Sequence, residues 1–310
     1  MIDGNRTGSD SIDVTVVLVT YNHERFIAKA IESVLDQRTP RPFELIISED
    51  ASTDGTRAIV MDYAARDPRI RPLLSESNLR SNETVARGIR AARGRYICIL
   101  DGDDYWIAPD KIERQAALLD SDESLAACFH NAVIVRGDAE QAGEERWTPA
   151  TQATRIGFAD IARGNPFAIC AGMLRASALG RLGDWYSEFL LTDWPLYLLC
   201  AEQGDLLFVD EPVTAYRLHD GGQFSSQPAK HKLDMTADFY RRMNRAFRGR
   251  CRQLISAGAS LFFFEWAEEY ARRGERGMSR VCLAHALRSG GVGRSVPWRR
   301  WLFLAARSLG

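Results

Sequence analysis

Tyr96-Ile-Cys-Ile-Leu-Asp101-Gly-Asp103-Asp104-Tyr-Trp106 is the stretch on which the reading of this chain turns. Ile97 to Leu100 is short and apolar, as a buried strand is, and three carboxylates follow around Gly102. Like charges this close repel, and a carboxylate at the edge of a core loses hydration. A divalent cation relieves both costs. Oxygen-rich clusters suit Mg2+ or Mn2+, which keep coordination positions open for phosphate oxygens. The same residues also suit a solvated turn, because Asp and Gly favour turn geometry. The local sequence leaves both readings open, and the surrounding pattern has to decide.

Upstream, Val14 to Val19 is nearly continuous β-branched sequence, the pattern of a strand buried on both faces of a parallel sheet. Phe26, Ile27, Ala30, Ile31, Val34 and Leu35 keep helical spacing and predict a helix over about 24–37. A strand over 45–48 ends in Glu49-Asp50, a turn follows at 51–55, and a helix over 56–65. A short strand near 70–74 and a helix over about 82–92 lead to Gly94 and the strand bearing Asp101. This alternation predicts an α/β fold on a mostly parallel central sheet flanked by helices.

Ligands of such sheets bind beyond the carboxyl ends of the strands. Thr20-Tyr21-Asn22, Glu49-Asp50 and Asp101 to Asp104 all fall there. That convergence favours a metal–diphosphate site over a turn. No G-x-G-x-x-G follows the first strand and no G-x-x-x-x-G-K-[ST] occurs, which disfavours a dinucleotide-binding dehydrogenase and a P-loop enzyme.

Downstream, Pro109 and Asp110 start a helix to about residue 120, in keeping with first-turn preferences. A strand is expected over 126–135, with His130 as a satisfied core or edge histidine. The polar segment 137–154, carrying Trp147, reads as a loop. A helix over 158–163, a strand over 167–174 and a helix starting near 175 follow. Asp193 precedes an amphipathic helix with Leu196, Leu198, Leu199 and Ala201; an acid there is an ordinary N-cap. A strand over 205–209 and a turn at 210–212 lead to Ala215-Tyr-Arg217-Leu-His219-Asp-Gly-Gly222.

The 310 residues have the composition of an ordinary globular protein with net charge −1. Six cysteines without C-x-x-C spacing argue against a zinc site or a disulfide framework and fit a reducing cytoplasm. Residues 1–11 read as disordered, with no apolar core for a signal peptide, and no apolar run approaches membrane-spanning length. Residues 228–310 hold 17 Lys/Arg against 6 Asp/Glu, a basic helical extension on an otherwise acidic chain. Its segment Trp298 to Arg307 is basic and amphipathic, as an interfacial helix is; docking onto its own domain is the equal alternative.

Three runs carry a resemblance: Val-Val-Leu-Val-Thr-Tyr-Asn-His-Glu, Glu-Leu-Ile-Ile-Ser-Glu-Asp-Ala-Ser-Thr-Asp-Gly-Thr, and Gly-Arg-Tyr-Ile-Cys-Ile-Leu-Asp-Gly-Asp-Asp-Tyr-Trp. In order and spacing they resemble family 2 of the inverting nucleotide-sugar glycosyltransferases, over roughly 12–227. The resemblance implies a GT-A fold and a nucleoside diphosphate sugar donor, with UDP or dTDP favoured by Asp50, which matches the acid that accepts from a uracil ring N–H. It implies nucleotide contacts from Thr20, Tyr21 and Asn22, with Tyr21 able to stack on the base. Glu49 stands where Asp is commoner. Asp103 is expected on the ribose or on Mn2+ or Mg2+, Asp104 directly on the metal, and Asp101 as a structural turn acid. Arg80 and Arg217 are phosphate-side candidates, and His219 is a metal or diphosphate contact. Asp193 matches the general base, with Trp106 and Trp194 on the acceptor side. A Gly221-Gly222 loop would close on bound donor.

The implied reaction moves one sugar per encounter, since the Q-x-x-R-W signature of processive synthases is absent. The acceptor expected is a glycan or lipid-linked glycan of surface polysaccharide assembly, handled in the cytoplasm or on the membrane face, with no nucleic-acid partner. Two rivals are a metal-dependent nucleotidyltransferase, which needs a Gly-rich phosphate loop after the first strand, and an inactive nucleotide-sugar-binding module, which would have lost Asp104 or Asp193.

Overall fold

The computed structural model describes residues 11–139, 143–180, 182–189, 191–219, 227–290 and 296–309, with the backbone alone for 307–309. The expected disorder of 1–11 and the Gly221-Gly222 loop lie almost entirely outside the described residues.

Four parallel strands build one half of the sheet: β1 (Val14–Thr20), β2 (Phe43–Glu49), β3 (Ile70–Leu74) and β4 (Tyr96–Asp101), in spatial order β3-β2-β1-β4. β1 is buried along its whole length. Its side chains alternate between two cores, as a period-two strand between layers must. Val14, Val16 and Leu18 join the core formed with α1 (Ile27–Leu35), α2 (Thr56–Arg66) and α4 (Lys111–Ser121). Val17 and Val19 join the core on the other face, with α3 (Glu83–Ala91).

α1 is shorter than the apolar spacing predicts. The backbone N–H groups of His23 and Glu24 donate to Thr56 Oγ1 at 2.8 Å and Asp54 Oδ2 at 3.1 Å. Those cross-loop bonds hold 23 and 24 outside the helix.

Beyond β4 the sheet turns mixed. β8 (Gly172–Arg175) is antiparallel to β4 and to β6 (Leu125–Arg136). β9 (Asp205–Leu218) runs parallel to β6, and the short strands β5 (Tyr105–Trp106) and β7 (Arg155–Ile156) pair antiparallel with β9. Two expectations are corrected here. Only 172–174 of the expected strand 167–174 is strand, because Ile169–Ala171 coils into a 3₁₀ turn; an apolar run alone does not separate the two. The expected turn at 210–212 is a bulge inside one long strand. Register shifts around Asn131, opposite Pro212, absorb the proline's missing donor, and Asn131 Nδ2 donates to Asp210 Oδ1 at 2.7 Å.

The C-terminal helices are α7 (Ala229–Ala246), α8 (Gly249–Arg272), α9 (Arg276–Arg288) and α10 (Trp298–Leu309). Phe239, Tyr240 and Phe263 share a core with Trp194 and Leu196 of α6 (Asp193–Gln203). α8 crosses α5 (Phe158–Arg163) so closely that a Cβ on Gly258 would stand 2.0 Å from the Ala162 carbonyl oxygen. The extension therefore backs the helix that carries Asp193.

Candidate active site

The strand order reverses between β1 and β4: β2 and β3 lie on one side of β1, while β4 lies on the other. Crevices at such switch points receive ligands. Register sets Val19 beside Asp101 and Thr20 beside Glu49, so the acidic turn stands against the loop that leaves β1. Gly102 donates to the Val19 carbonyl at 2.9 Å. A Cβ on Gly102 would fall 2.7 Å from Thr20 Oγ1 and 2.8 Å from His23 Nδ1, so only glycine fits this approach.

β9 delivers its end to the same turn. Pairing of Tyr105 with Ala215 brings His219 over Asp103, and His219 Nε2 lies 2.9 Å from Asp103 Oδ2. His23 Nε2 stands 3.9 Å from the same oxygen. Burial alone would raise the Asp103 carboxyl, but the His219 hydrogen bond and the neighbouring His23 outweigh it and hold it low. The bond to Asp103 raises His219, whereas burial lowers His23.

Asp104 is the acid that the resemblance puts directly on the metal. Its side chain is buried; Oδ1 accepts from the Arg217 backbone N–H at 2.8 Å, and Oδ2 has no hydrogen-bond partner. Burial, then Asp103 and Asp101, hold its carboxyl well above the usual range. Asp101, expected to be only a turn acid, joins the cluster: burial pushes it up to about 8, and Asp103 and Asp193 both add repulsion.

Arg217 is held by the backbone around the acidic turn. Its guanidinium donates to the carbonyls of Asp103 at 3.0 Å, Gly137 at 2.6 Å and Ala139 at 3.1 Å, and it covers the Phe26 ring. Asn22 is likewise tied to a neighbouring loop. At φ 56° it accepts from the Thr53 N–H at 2.8 Å, while its own N–H donates to Ser52 Oγ. Positive φ recurs at Ala51 and Arg80, so three loops at this sheet edge carry strained non-glycine residues, as binding sites often do. Arg80 is exposed and Tyr21 half-buried.

Asp50 is fixed through Oδ1 by the Leu79 N–H at 2.9 Å and Ser75 Oγ at 3.2 Å. Glu49 is fully buried and ion-paired with Arg57, while its Oε1 accepts from the Ser52 N–H. Its longer side chain reaches its own loop and α2.

Asp193 opens α6 without capping it in the usual way. No side-chain cap bond forms at Thr192; its hydroxyl donates instead to Asn82 Oδ1 at 3.0 Å. Asp193 Oδ1 accepts from the Trp194 N–H at 2.7 Å, and Oδ2 accepts from Asn165 Nδ2 at 2.6 Å. Burial raises its carboxyl, and these two bonds only partly oppose that.

The two tryptophans expected on the acceptor side belong to the core. Trp106 is 4% exposed, donates to the Cys170 carbonyl and carries the Lys111 ammonium over its ring. Trp194 is 5% exposed, donates to the Ile161 carbonyl at 2.7 Å and stacks on Phe239. Trp147 is 36% exposed and packs on Tyr216, whose hydroxyl burial and the Asp104 and Asp101 carboxylates keep protonated.

Sequence reading passed over His23, Asn82, Arg87 and Asn165. Arg87 donates to Ser48 Oγ, Ser75 Oγ and the carbonyls of Glu49 and Leu73, tying the ends of β2 and β3. His23 was signalled by its place directly after Asn22. Asn165 had no local signal, since its partner is 28 positions away.

Among the described residues no group of three or more His, Cys, Asp or Glu side chains is placed to hold a metal. The donor set that fits is a pair, Asp103 Oδ2 and His219 Nε2. Both side chains are partly open, and an oxygen–imidazole pair with free positions suits a cation that also binds phosphate oxygens.

The model of "Glycosyl transferase family 2" matches residues 15–183. The uncharacterized protein Rv1520 of Mycobacterium tuberculosis is 30% identical over 69% of this chain, which spans 61% of that protein's length. A provisionally named glycosyltransferase of Bacillus subtilis, EpsE, is 34% identical over 62% of this chain and 67% of its own. Staphylococcus aureus TarS 1-349, solved with UDP-GlcNAc, superposes with TM-score 0.66 at 17% identity, over 96% of this chain and 88% of that one. The mannosyltransferase PcManGT of Pyrobaculum calidifontis, solved with GDP-Man and Mn2+, gives 0.54 at 17% identity, over 96% and 84%. The sheet order and the two flanking helical layers are those of a GT-A fold, and the chain belongs to glycosyl transferase family 2.

Proposed function

We propose that this chain is an inverting glycosyltransferase that moves a single sugar from a nucleoside diphosphate sugar to an acceptor hydroxyl. The observation that carries the reading is Asp101 at the end of β4, which neighbours both Asp193 and the Asp103 that pairs with His219 at 2.9 Å: burial raises its carboxyl most, and those two charges add to it. On this reading the Asp103–His219 pair and the Asp193 carboxylate serve one site, as a donor-binding group and a base must.

Asp50, anchored through Oδ1, offers its second oxygen to the ring N–H of uracil or thymine, and Tyr21 lies beside the same strand end. Asp103 and His219 are the residues that would hold Mn2+ or Mg2+, in place of the Asp104 expectation. When bound, the metal offsets charge on the departing diphosphate. The acceptor oxygen attacks the anomeric carbon, the bond from that carbon to the diphosphate oxygen breaks, and the acceptor's proton passes to Asp193. A single displacement inverts the anomeric centre and needs no enzyme nucleophile. Asn165 orients the carboxylate so that one face of Asp193 meets the hydroxyl.

The acceptor reading is a glycan or lipid-linked glycan of surface polysaccharide assembly on the cytoplasmic side. Names of relatives such as the Bacillus subtilis teichuronic acid protein TuaG, 43% identical over 33% of this chain, support it. Trp147 on Tyr216, rather than Trp106 or Trp194, is the aromatic surface open to such a sugar. A thermal shift with UDP tests the site: stabilisation that needs both UDP and Mn2+, and disappears in Asp103→Ala, is expected. Stabilisation only by intact triphosphates would point to nucleotidyl transfer instead.

A further inference from the structure

We infer that the outer face of α10 docks this protein on an anionic bilayer surface. The four most exposed large apolar side chains among the described residues are Phe303 (64%), Trp298 (60%), Leu302 (59%) and Leu287 (56%). Three of them lie on α10, and Leu287 closes the preceding helix α9, against which α10 packs.

α10 is already docked by its other side. Trp301 and Leu304 are buried, and Trp301 packs on Phe264 of α8. At 100° per residue, Trp298, Leu302 and Ala306 form one row on the opposite side, flanked by Arg299 and Phe303. The helix contains no acidic residue, and Arg288 and Arg299 are exposed without an ion pair among the described residues. Arg300 is neutralised by Glu268.

Tryptophan, leucine and arginine on one exposed strip suit the boundary between headgroups and acyl chains, where the rings enter and the guanidinium groups meet phosphate. Charge argues for the anionic lipid over a second copy of the chain. A two-fold contact would bring the same arginine-bearing patch against itself, inside an extension that already carries 17 basic against 6 acidic residues. This inference does not depend on the transferase reading.

The test is sedimentation of the full chain with sucrose-loaded phosphatidylcholine vesicles, with and without about 30% phosphatidylglycerol, a charge density at which polybasic surfaces respond. Binding to the anionic vesicles, weak binding to the neutral ones and release at about 0.5 M salt are expected, since screening shortens the reach of the arginines. Trp298→Ser with Leu302→Ser should lower the partition coefficient at least about tenfold, and Arg299→Glu severalfold, with UDP-dependent thermal stabilisation unchanged. Absence of binding to anionic vesicles, or binding that the double variant retains, would overturn the inference. So would a concentration-dependent dimer in light scattering that the double variant dissolves, which would assign the face to a second copy.

Discussion

Asn165 Nδ2 lies 2.6 Å from Asp193 Oδ2, so the carboxylate at the head of α6 is gripped from the loop that follows α5. The Trp194 N–H holds the other oxygen. A general base with both oxygens oriented has little rotational freedom to lose as the acceptor arrives. Asp193→Asn should keep UDP binding and lower turnover by about 10²–10⁴, the usual contribution of a positioned base. Titration calorimetry with UDP and Mn2+, beside a transfer assay, separates the two effects.

The same bond fixes a pH dependence. Burial raises the Asp193 carboxyl, and Asn165 opposes this by stabilising the anion. The base works deprotonated, so activity should fall as pH drops through its raised value. Asn165→Ala removes the opposing bond, raises the carboxyl further and should move that acid limb to higher pH. A pH profile of kcat/KM that shifts downward or stays fixed in Asn165→Ala would contradict this role.

Asp103 and Asp104 should behave differently despite being adjacent. Asp103→Asn removes the partner of His219 and should abolish Mn2+-dependent UDP stabilisation in a thermal shift. Asp104 lies buried on the Arg217 N–H with its carboxyl well above the usual range. Asp104→Asn, a neutral isostere, should therefore leave metal-dependent binding largely intact. Equal loss in both variants would return Asp104 to the metal.

Trp194→Ala should destabilise the fold by about 3–5 kcal/mol, the range for deleting a buried aromatic side chain. The ring is stacked on Phe239 and bonded to the Ile161 carbonyl, so it couples α6 to α5 and α7. Urea unfolding measures the loss, and an unchanged midpoint would place the ring on the surface.

His130 is buried, with Nδ1 3.1 Å from Gln115 Nε2. Burial, then the nearby Lys111, lowers it to about 4. The folded value lies below the unfolded one near 6.5, so its contribution is complete above about pH 6.5 and is lost as pH falls toward 4. The loss at the lower end amounts to about 3 kcal/mol. His130→Gln should flatten stability between those limits, as chemical unfolding at a series of pH values will show.

The parallel half of the fold was legible because β1, β2 and β4 are buried almost throughout and carry short apolar runs, Val16 to Val19, Leu45 to Ile47 and Ile97 to Leu100. The mixed half was less so. β9 crosses Pro212 through a bulge, and only tertiary pairing with β6 reveals that 205–218 is one strand. Acids at strand ends marked this edge of the sheet: Asp50 follows β2, and Asp101 to Asp104 close β4. Sequence did not tell which of two adjacent acids is exposed: Asp103 and Asp104 alternate about the turn, and the Arg217 backbone captures the second. Nor did it separate exposed from buried tryptophan. Trp106 and Trp194 stand next to site acids, yet their indole N–H groups reach core carbonyls.

The most direct test of the central claim is a donor screen. The protein would be incubated with Mn2+ or Mg2+ and a panel of UDP-, dTDP- and GDP-sugars, and slow release of nucleoside diphosphate followed. The account predicts metal-dependent release from a uracil- or thymine-linked donor, abolished by chelation and by Asp103→Ala. Release that is independent of metal and unchanged in Asp103→Ala would contradict it.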